Sequence, residues 1–160
     1  DLQTTGNLVF QGSYLGNYFF ILLYDGIFSY ELFEFFRSTD SYSTDFEDFT
    51  GRKNYAKETA GGYYAARLPI LEWMTKNKRQ SQALVIRFIT DEYYMPLGVW
   101  VVREAVRKAM QSKPLEFGSK ELMFSYLCTI SKKKFNRDLT WLHKKSKLIT
   151  KLNQKKLNEY

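Results

Sequence analysis

Residues 18–24 form an unbroken apolar and aromatic run, and residues 28–36 and 83–89 come close to it. Such runs are far shorter than the roughly 20 residues that span a bilayer, and they lack the 3.6-residue spacing of a surface helix. Their β-branched and aromatic content favours strands. Residues 8–11 and 18–23 are predicted to pair as a hairpin across the turn-rich cluster of residues 12–17. Residues 28–36 follow Asp25-Gly26, a turn signal, and read as a third strand buried on both faces, with a helix as the competing assignment. On a strand Glu31 and Glu34 point to opposite faces, which argues against their acting as a catalytic pair.

A chain of 160 residues, 44% hydrophobic and 18% aromatic, can bury a core of its own. The single cysteine, Cys128, and single histidine, His143, exclude a self-contained Cys/His zinc site, an iron–sulfur cluster and an internal disulfide. No metal site and no cofactor are expected in this chain. One cysteine suits a reduced, cytoplasmic protein, and no signal peptide or membrane partner is expected. Cys128 and His143 make a weak nucleophile pair, and a core thiol is the favoured reading for Cys128. No phosphate-binding glycine loop, Gly-x-Ser-x-Gly elbow or His-Glu-x-x-His sequence is present.

Charge is distributed unevenly. Residues 1–75 carry 5 Lys/Arg against 10 Asp/Glu, whereas residues 76–160 carry 19 against 7. Within the basic half, residues 131–160 hold 10 Lys/Arg and only 2 acids. Such a segment suits polyanion contact, and its preference for Lys over Arg points to sequence-independent phosphate contacts rather than base readout. A solvated lysine-rich helix is the alternative.

Residues 38–50 read as a polar acidic loop whose spacing fits no calcium loop. Beyond Tyr55 the pattern turns helical, with Gly61-Gly62 marking a break and Pro69 expected to bend or restart the helix of residues 63–76. Arg67, beside Tyr63, is a candidate phosphate ligand or else one half of an internal ion pair. Residues 83–89 are predicted as a core strand containing Arg87. Pro96-Leu97-Gly98 then opens a helix over residues 99–111 with Val99, Val102, Val106 and Met110 as its buried stripe. Arg103, Arg107 and Trp100 border that stripe, a set able to grip a phosphate backbone or to join an ion-pair network. Pro114 and Gly118 mark a boundary, Ser119 is a helix N-cap, and Lys132-Lys133-Lys134 ends that helix. A final basic amphipathic helix is expected from about residue 138 to 152, carrying Lys144 and Lys145.

The last residues hold the sharpest spacing. Gln154, Leu157 and Tyr160 follow the pattern glutamine, two residues, aliphatic, two residues, aromatic, which resembles the box that docks on DNA sliding clamps. A single tight turn sets Leu157 and Tyr160 on one side for an apolar pocket while the Gln154 amide meets a polar notch.

The longest informative blocks are Gly61-Gly62-Tyr63-Tyr64-Ala65-Ala66-Arg67-Leu68 and Pro96-Leu97-Gly98-Val99-Trp100-Val101-Val102-Arg103-Glu104-Ala105-Val106-Arg107. With Gly16-Asn17, Tyr30-Glu31, Glu34 and Tyr55-Ala56-Lys57-Glu58-Thr59, they resemble the archaeal Nre proteins over most of the chain. The resemblance implies the C-terminal part of a DNA repair protein with a terminal clamp-binding box. The zinc motif of that family lies in an upstream region with no counterpart here. The resemblance also implies an acid between Arg87 and Ile89, where this chain has Phe88.

Together these readings predict an α+β fold: a small, mainly antiparallel sheet packed with helices, a helical basic C-terminal segment and a flexible tail. Residues 1–112 form the core, 113–152 the basic segment and 153–160 the clamp-binding tail. The expected function is that of a nucleoid-associated repair factor whose partners are the sliding clamp and DNA. The rival is a nucleic-acid-processing enzyme built on Arg67, Arg87, Arg103, Arg107, Tyr63 and a carboxylate such as Glu58 or Glu104; a pure protein-interaction module is the third reading.

Overall fold

The computed structural model describes residues 2–93 and 97–157, with side chains through Gln154. In chain order the elements are β1 (Gln3–Thr4), β2 (Asn7–Tyr14), β3 (Asn17–Tyr24), β4 (Ser29–Phe36), β5 (Tyr42–Glu47), α1 (Ala60–Asn77), β6 (Arg79–Gln80), β7 (Gln82–Ile89), α2 (Val99–Gln111), β8 (Leu115–Phe117), α3 (Lys120–Phe135), α4 (Leu142–Lys145) and α5 (Lys147–Leu157). Six strands form one sheet in the order β5-β4-β7-β3-β2-β8. Every neighbouring pair in it is antiparallel except β4 with β7. The short β1 and β6 pair separately, in parallel.

Strand alternation sorts the apolar residues between two cores. Phe19, Ile21 and Leu23 of β3, with Tyr30 and Leu32 of β4 and Val85 of β7, face α1 and α2. Phe20, Leu22, Phe33, Phe35, Ile86 and Phe88 face the opposite way, toward α3, α4 and α5. Each such side chain, taken out of water, contributes about 1.5–3 kcal/mol. The expected α+β architecture with a mainly antiparallel sheet is the one observed.

Several local expectations are corrected. The hairpin strands run through Gly12 and Ser13, and the turn shrinks to Leu15-Gly16, both with positive φ, 48° and 80°. Two such residues make the connection that matches strand twist. The acidic loop of residues 38–50 instead contains β5, in which Asp45 and Glu47 are buried. Asp45 accepts both the backbone N–H (2.6 Å) and the hydroxyl (2.7 Å) of Thr59, which fixes the start of α1. Gly61 and Gly62 lie inside α1 rather than breaking it, and Pro69 is buried within it, so burial of Ala66, Ile70 and Met74 outweighs local propensity. In α2 the buried face is Val101, Val102, Ala105, Val106, Ala109 and Met110; Val99, the first residue of the helix, is 51% exposed. Between Pro114 and Gly118 lies β8, paired with β2.

Ser119 does cap α3, its hydroxyl accepting from the Leu122 N–H at 3.1 Å. Asn136, at φ 51°, ends that helix in the left-handed conformation. The final helix is two helices, parted at Ser146. The cause is Glu31 of β4, whose carboxylate accepts the Ser146 hydroxyl (2.8 Å) and the Lys147 and Leu148 N–H groups (3.1 and 2.8 Å). A buried anion thus satisfies the open N-terminus of α5. Burial raises the Glu31 pKa, while the hydrogen bonds from Leu148, Ser146 and Lys147 oppose the rise. Among the described residues, no helix is long and apolar enough to cross a membrane.

Candidate nucleic-acid interface

The arginines singled out in the sequence have separate partners. Arg67 forms a forked pair with Glu47, Nη2 to Oε1 at 2.8 Å and Nε to Oε1 at 3.1 Å, and the Tyr63 hydroxyl donates to Glu47 Oε2 at 2.5 Å. Burial raises the Tyr63 pKa, and the Glu47 carboxylate raises it further. Arg87 on β7 spans to Glu34 on β4, its registered neighbour, and donates twice to Asn17 Oδ1, at 3.0 and 2.6 Å. Burial raises the Glu34 pKa against the pull of Arg87. A Cβ on Gly62 would lie 2.7 Å from Glu34 Oε2, so the glycine lets α1 close over this pair. Arg107 bonds Glu72 (3.2 Å) and Glu104 (3.0 Å), joining α1 to α2. The Arg103 Nε is buried with no hydrogen-bond partner among the described residues, and the exposed Trp100 meets Tyr14 edge-on at 6.2 Å. Glu58 is exposed. With their own carboxylates held this way, Arg67 ties α1 to β5, Arg87 ties β7 to β4, and Arg107 ties α2 to α1.

On the opposite face a cleft of about 860 Å³ lies between the ends of β4 and β7 and the end of α3. Its cations are Lys132, Lys133 and Lys134 of the last α3 turn, together with Arg37 and Arg137. Arg137 donates to the carbonyls of Phe36 and Thr39, both at 2.8 Å, which ties the loop after β4 to the end of α3. Arg37 is paired with Asp91 at 3.3 Å, and both are exposed. The Lys134 ammonium lies 4.4 Å from the Tyr18 ring centroid. Among the described residues, the exposed Lys132 and Lys133 ammonium groups form no salt bridge, and Lys132 lies near enough to Asp138 to help hold its pKa down. Lysines at a helix C-terminus also complement the helix dipole.

Aromatic rings line the interior. Phe88 stacks on Phe135 with centroids 4.1 Å apart and on Phe35 at 5.5 Å; Tyr18 meets Phe135 edge-on at 5.2 Å. Trp141 closes the far side, its Nε1 donating to the Asp138 carbonyl at 2.9 Å, while the Asp138 carboxylate is taken by Thr140. In the sequence, Lys132-Lys133-Lys134 reads as a helix end and as part of the basic segment of residues 131–160, not as a site of its own. Their alternation with Phe135, Arg137 and Trp141 is the signal for this site.

Lys144 and Lys145 are exposed in the last turn of α4. Gln154 is exposed within α5, which runs through Leu157; the side chain of Leu157 and all of Tyr160 lie outside the described residues. Cys128 packs at the edge of the second core, and burial pushes its thiol up to about 11. Among the described residues, no group of three His, Cys, Asp or Glu is placed to hold a metal ion.

The sequence matches the family described as Archaeal Nre, C-terminal, over residues 47–160. This chain belongs to the archaeal Nre family. It is 41% identical over 119 residues to the DNA repair protein NreA of Archaeoglobus fulgidus, covering 70% of this chain and 30% of that protein. It is 35% identical over 115 residues to the DNA repair protein NreA of Haloferax volcanii (66% and 27% covered), and 36% identical over 117 residues to the DNA repair protein NreB of A. fulgidus (73% and 29%). The chain therefore spans about three-tenths of the length of the curated relatives it matches. No solved structure matches it. In the Nre chain described here, Phe88 is 3% exposed between Phe35 and Phe135, a place where a carboxylate would be desolvated among rings.

Proposed function

We propose that this chain acts in DNA repair, recruited to the replication sliding clamp through Gln154, Leu157 and Tyr160 and touching DNA without sequence preference through the helices of its basic face. The relatives' names support the repair role, and they alone carry it. DNA contact rests on one observation: Lys132, Lys133, Lys144 and Lys145 are exposed and form no salt bridge among the described residues, on helices of one side of the sheet. Phosphate contact by such lysines gives affinity that falls with salt and ignores sequence. A clamp anchor would raise the local concentration of the domain on DNA, so that weak contacts sum. The separate pairing of Arg67, Arg87 and Arg107 favours a binding scaffold over the enzymatic pocket made of the same arginines.

Two measurements test the reading. The chain is expected to bind the cognate clamp, and a Gln154→Ala, Leu157→Ala, Tyr160→Ala variant to lose that binding while keeping its thermal transition. Equal clamp affinity of the two proteins would remove the recruitment half. For the DNA half, affinity for duplexes of unrelated sequence is expected to fall linearly on a log–log salt plot, with a shallower slope in Lys144→Ala, Lys145→Ala. A salt-independent or absent DNA interaction overturns it.

A further inference from the structure

The cleft at the end of α3 has a composition that backbone binding alone does not require. Lysines on an outer helix face suffice to touch phosphates, and those of α4 stand on such a face. Here the lysines instead rim a concavity whose interior is aromatic: Tyr18, Phe88, Phe135 and Trp141. Its volume of about 860 Å³ falls in the range of sites that enclose organic ligands. The walls are pre-formed, since Arg137 pins the loop after β4 and the Trp141 indole is fixed on the Asp138 carbonyl. Such a site needs little ordering on binding.

The ligand must bring a flat apolar face to the rings and negative charge to the lysines. An intact duplex offers the second and keeps the first inside its stack. An unpaired nucleotide offers both, and stacking on aromatic side chains tolerates any base. The acids of the cleft fit that arrangement. The Asp138 carboxylate, held ionised by the hydrogen bonds from Thr140, and the exposed Asp40 and Glu92 would repel phosphate and confine it to the α3 side.

We infer that this cleft seats an unpaired base of a single DNA strand against the aromatic interior formed by Phe135 and Trp141, with the flanking phosphates on Lys132, Lys133 and Lys134. The inference deepens the DNA-contact reading above and rests on it. It assigns that contact to single-stranded rather than double-stranded DNA.

Fluorescence anisotropy with a labelled oligothymidylate and a duplex of equal phosphate count tests it. The full chain is expected to bind the single strand more tightly than the duplex, and Trp141→Leu to weaken the single strand by about tenfold or more while leaving the duplex unchanged. The exposed Lys133→Glu, which cannot disturb the core, is expected to weaken both, and it keeps the test decisive should Trp141→Leu lose its thermal transition. Equal affinity for the two DNAs, or unaltered oligothymidylate binding in both variants, overturns the cleft assignment while duplex binding leaves the broader DNA reading standing. Absence of all DNA binding overturns both. Competition by free thymidine monophosphate at concentrations matching the oligonucleotide would reassign the cleft to a free nucleotide, and preference for an oligouridylate would reassign it to RNA.

Discussion

The two faces of the sheet handle charge in opposite ways. Under α1 and α2, Arg67 and Arg87 meet carboxylates from β5 and β4, Arg67 half-buried and Arg87 nearly fully buried; among the described residues, the Arg103 Nε is a buried side-chain atom there without a hydrogen bond. Under α3, α4 and α5 the one buried carboxylate among the described residues, Glu31, accepts from the Ser146 hydroxyl and from backbone N–H groups; Lys151 pairs with Asp48 and Lys120 donates to Asn153, while Lys133, Lys144 and Lys145 stay exposed without a salt bridge among the described residues. Positive charge on the first face therefore holds helices down, and on the second the charge of Lys133, Lys144 and Lys145 remains open to an outside anion. A count of basic residues cannot separate the two roles. Distance to an acid can.

The contrast breaks most visibly at Arg87. Arg87→Ala leaves Glu34 buried without its cation and is expected to cost about 3–5 kcal/mol in chemical denaturation. DNA affinity of the folded fraction should not change. A stable variant that loses DNA binding would move the interface to the first face. Next comes Gly62→Ala, whose Cβ meets Glu34 Oε2 at 2.7 Å. Overpacking there is expected to cost about 1–3 kcal/mol, outweighing the roughly 1 kcal/mol that alanine gains in a helix. A raised melting temperature would mean that α1 does not press on the ion pair.

On the second face, Ser146→Ala removes the hydroxyl that accepts from Ile149 N–H (3.1 Å) and donates to Glu31. A loss of about 1 kcal/mol is expected, with hydrogen exchange quickened in α5 and unchanged in α1. Quickening in both helices would mean that the two faces do not unfold independently. The smallest effect concerns Cys128, whose thiol titrates at about 11. Iodoacetamide at pH 8 should modify it on the order of a hundredfold more slowly than a free cysteine, with the rate still climbing above pH 10. Rapid alkylation near neutrality would show that α3 opens away from the sheet.

Much of the fold was legible because it depends on local pattern. β3, β4 and β7 follow from runs of large apolar residues, α2 from a stripe at helical spacing, and the start of α3 from Ser119. β5 was not legible, since the acids of Tyr42-Ser43-Thr44-Asp45-Phe46-Glu47 can be buried in an edge strand only when Arg52, Thr59, Tyr63 and Arg67 supply partners for them. Pro69 and the Gly61-Gly62 pair looked like interruptions for the same reason, because what retains them in α1 is the sheet beneath. The candidate site was half legible. Lys132, Lys133 and Lys134 were visible as a cluster, but Tyr18, Arg37 and Phe88 reach them through strand pairing from distant parts of the chain.

Composition and periodicity, taken alone, determined that this chain folds around strands buried on both sides, with its cations gathered in the second half and family blocks long enough to identify it as an Nre protein. Tertiary structure decided which cations are neutralised and which are free. The physical reason is range: apolar periodicity acts between residues a few positions apart, whereas an ion pair or a stacked ring forms wherever the folded chain brings the two groups within a few ångströms.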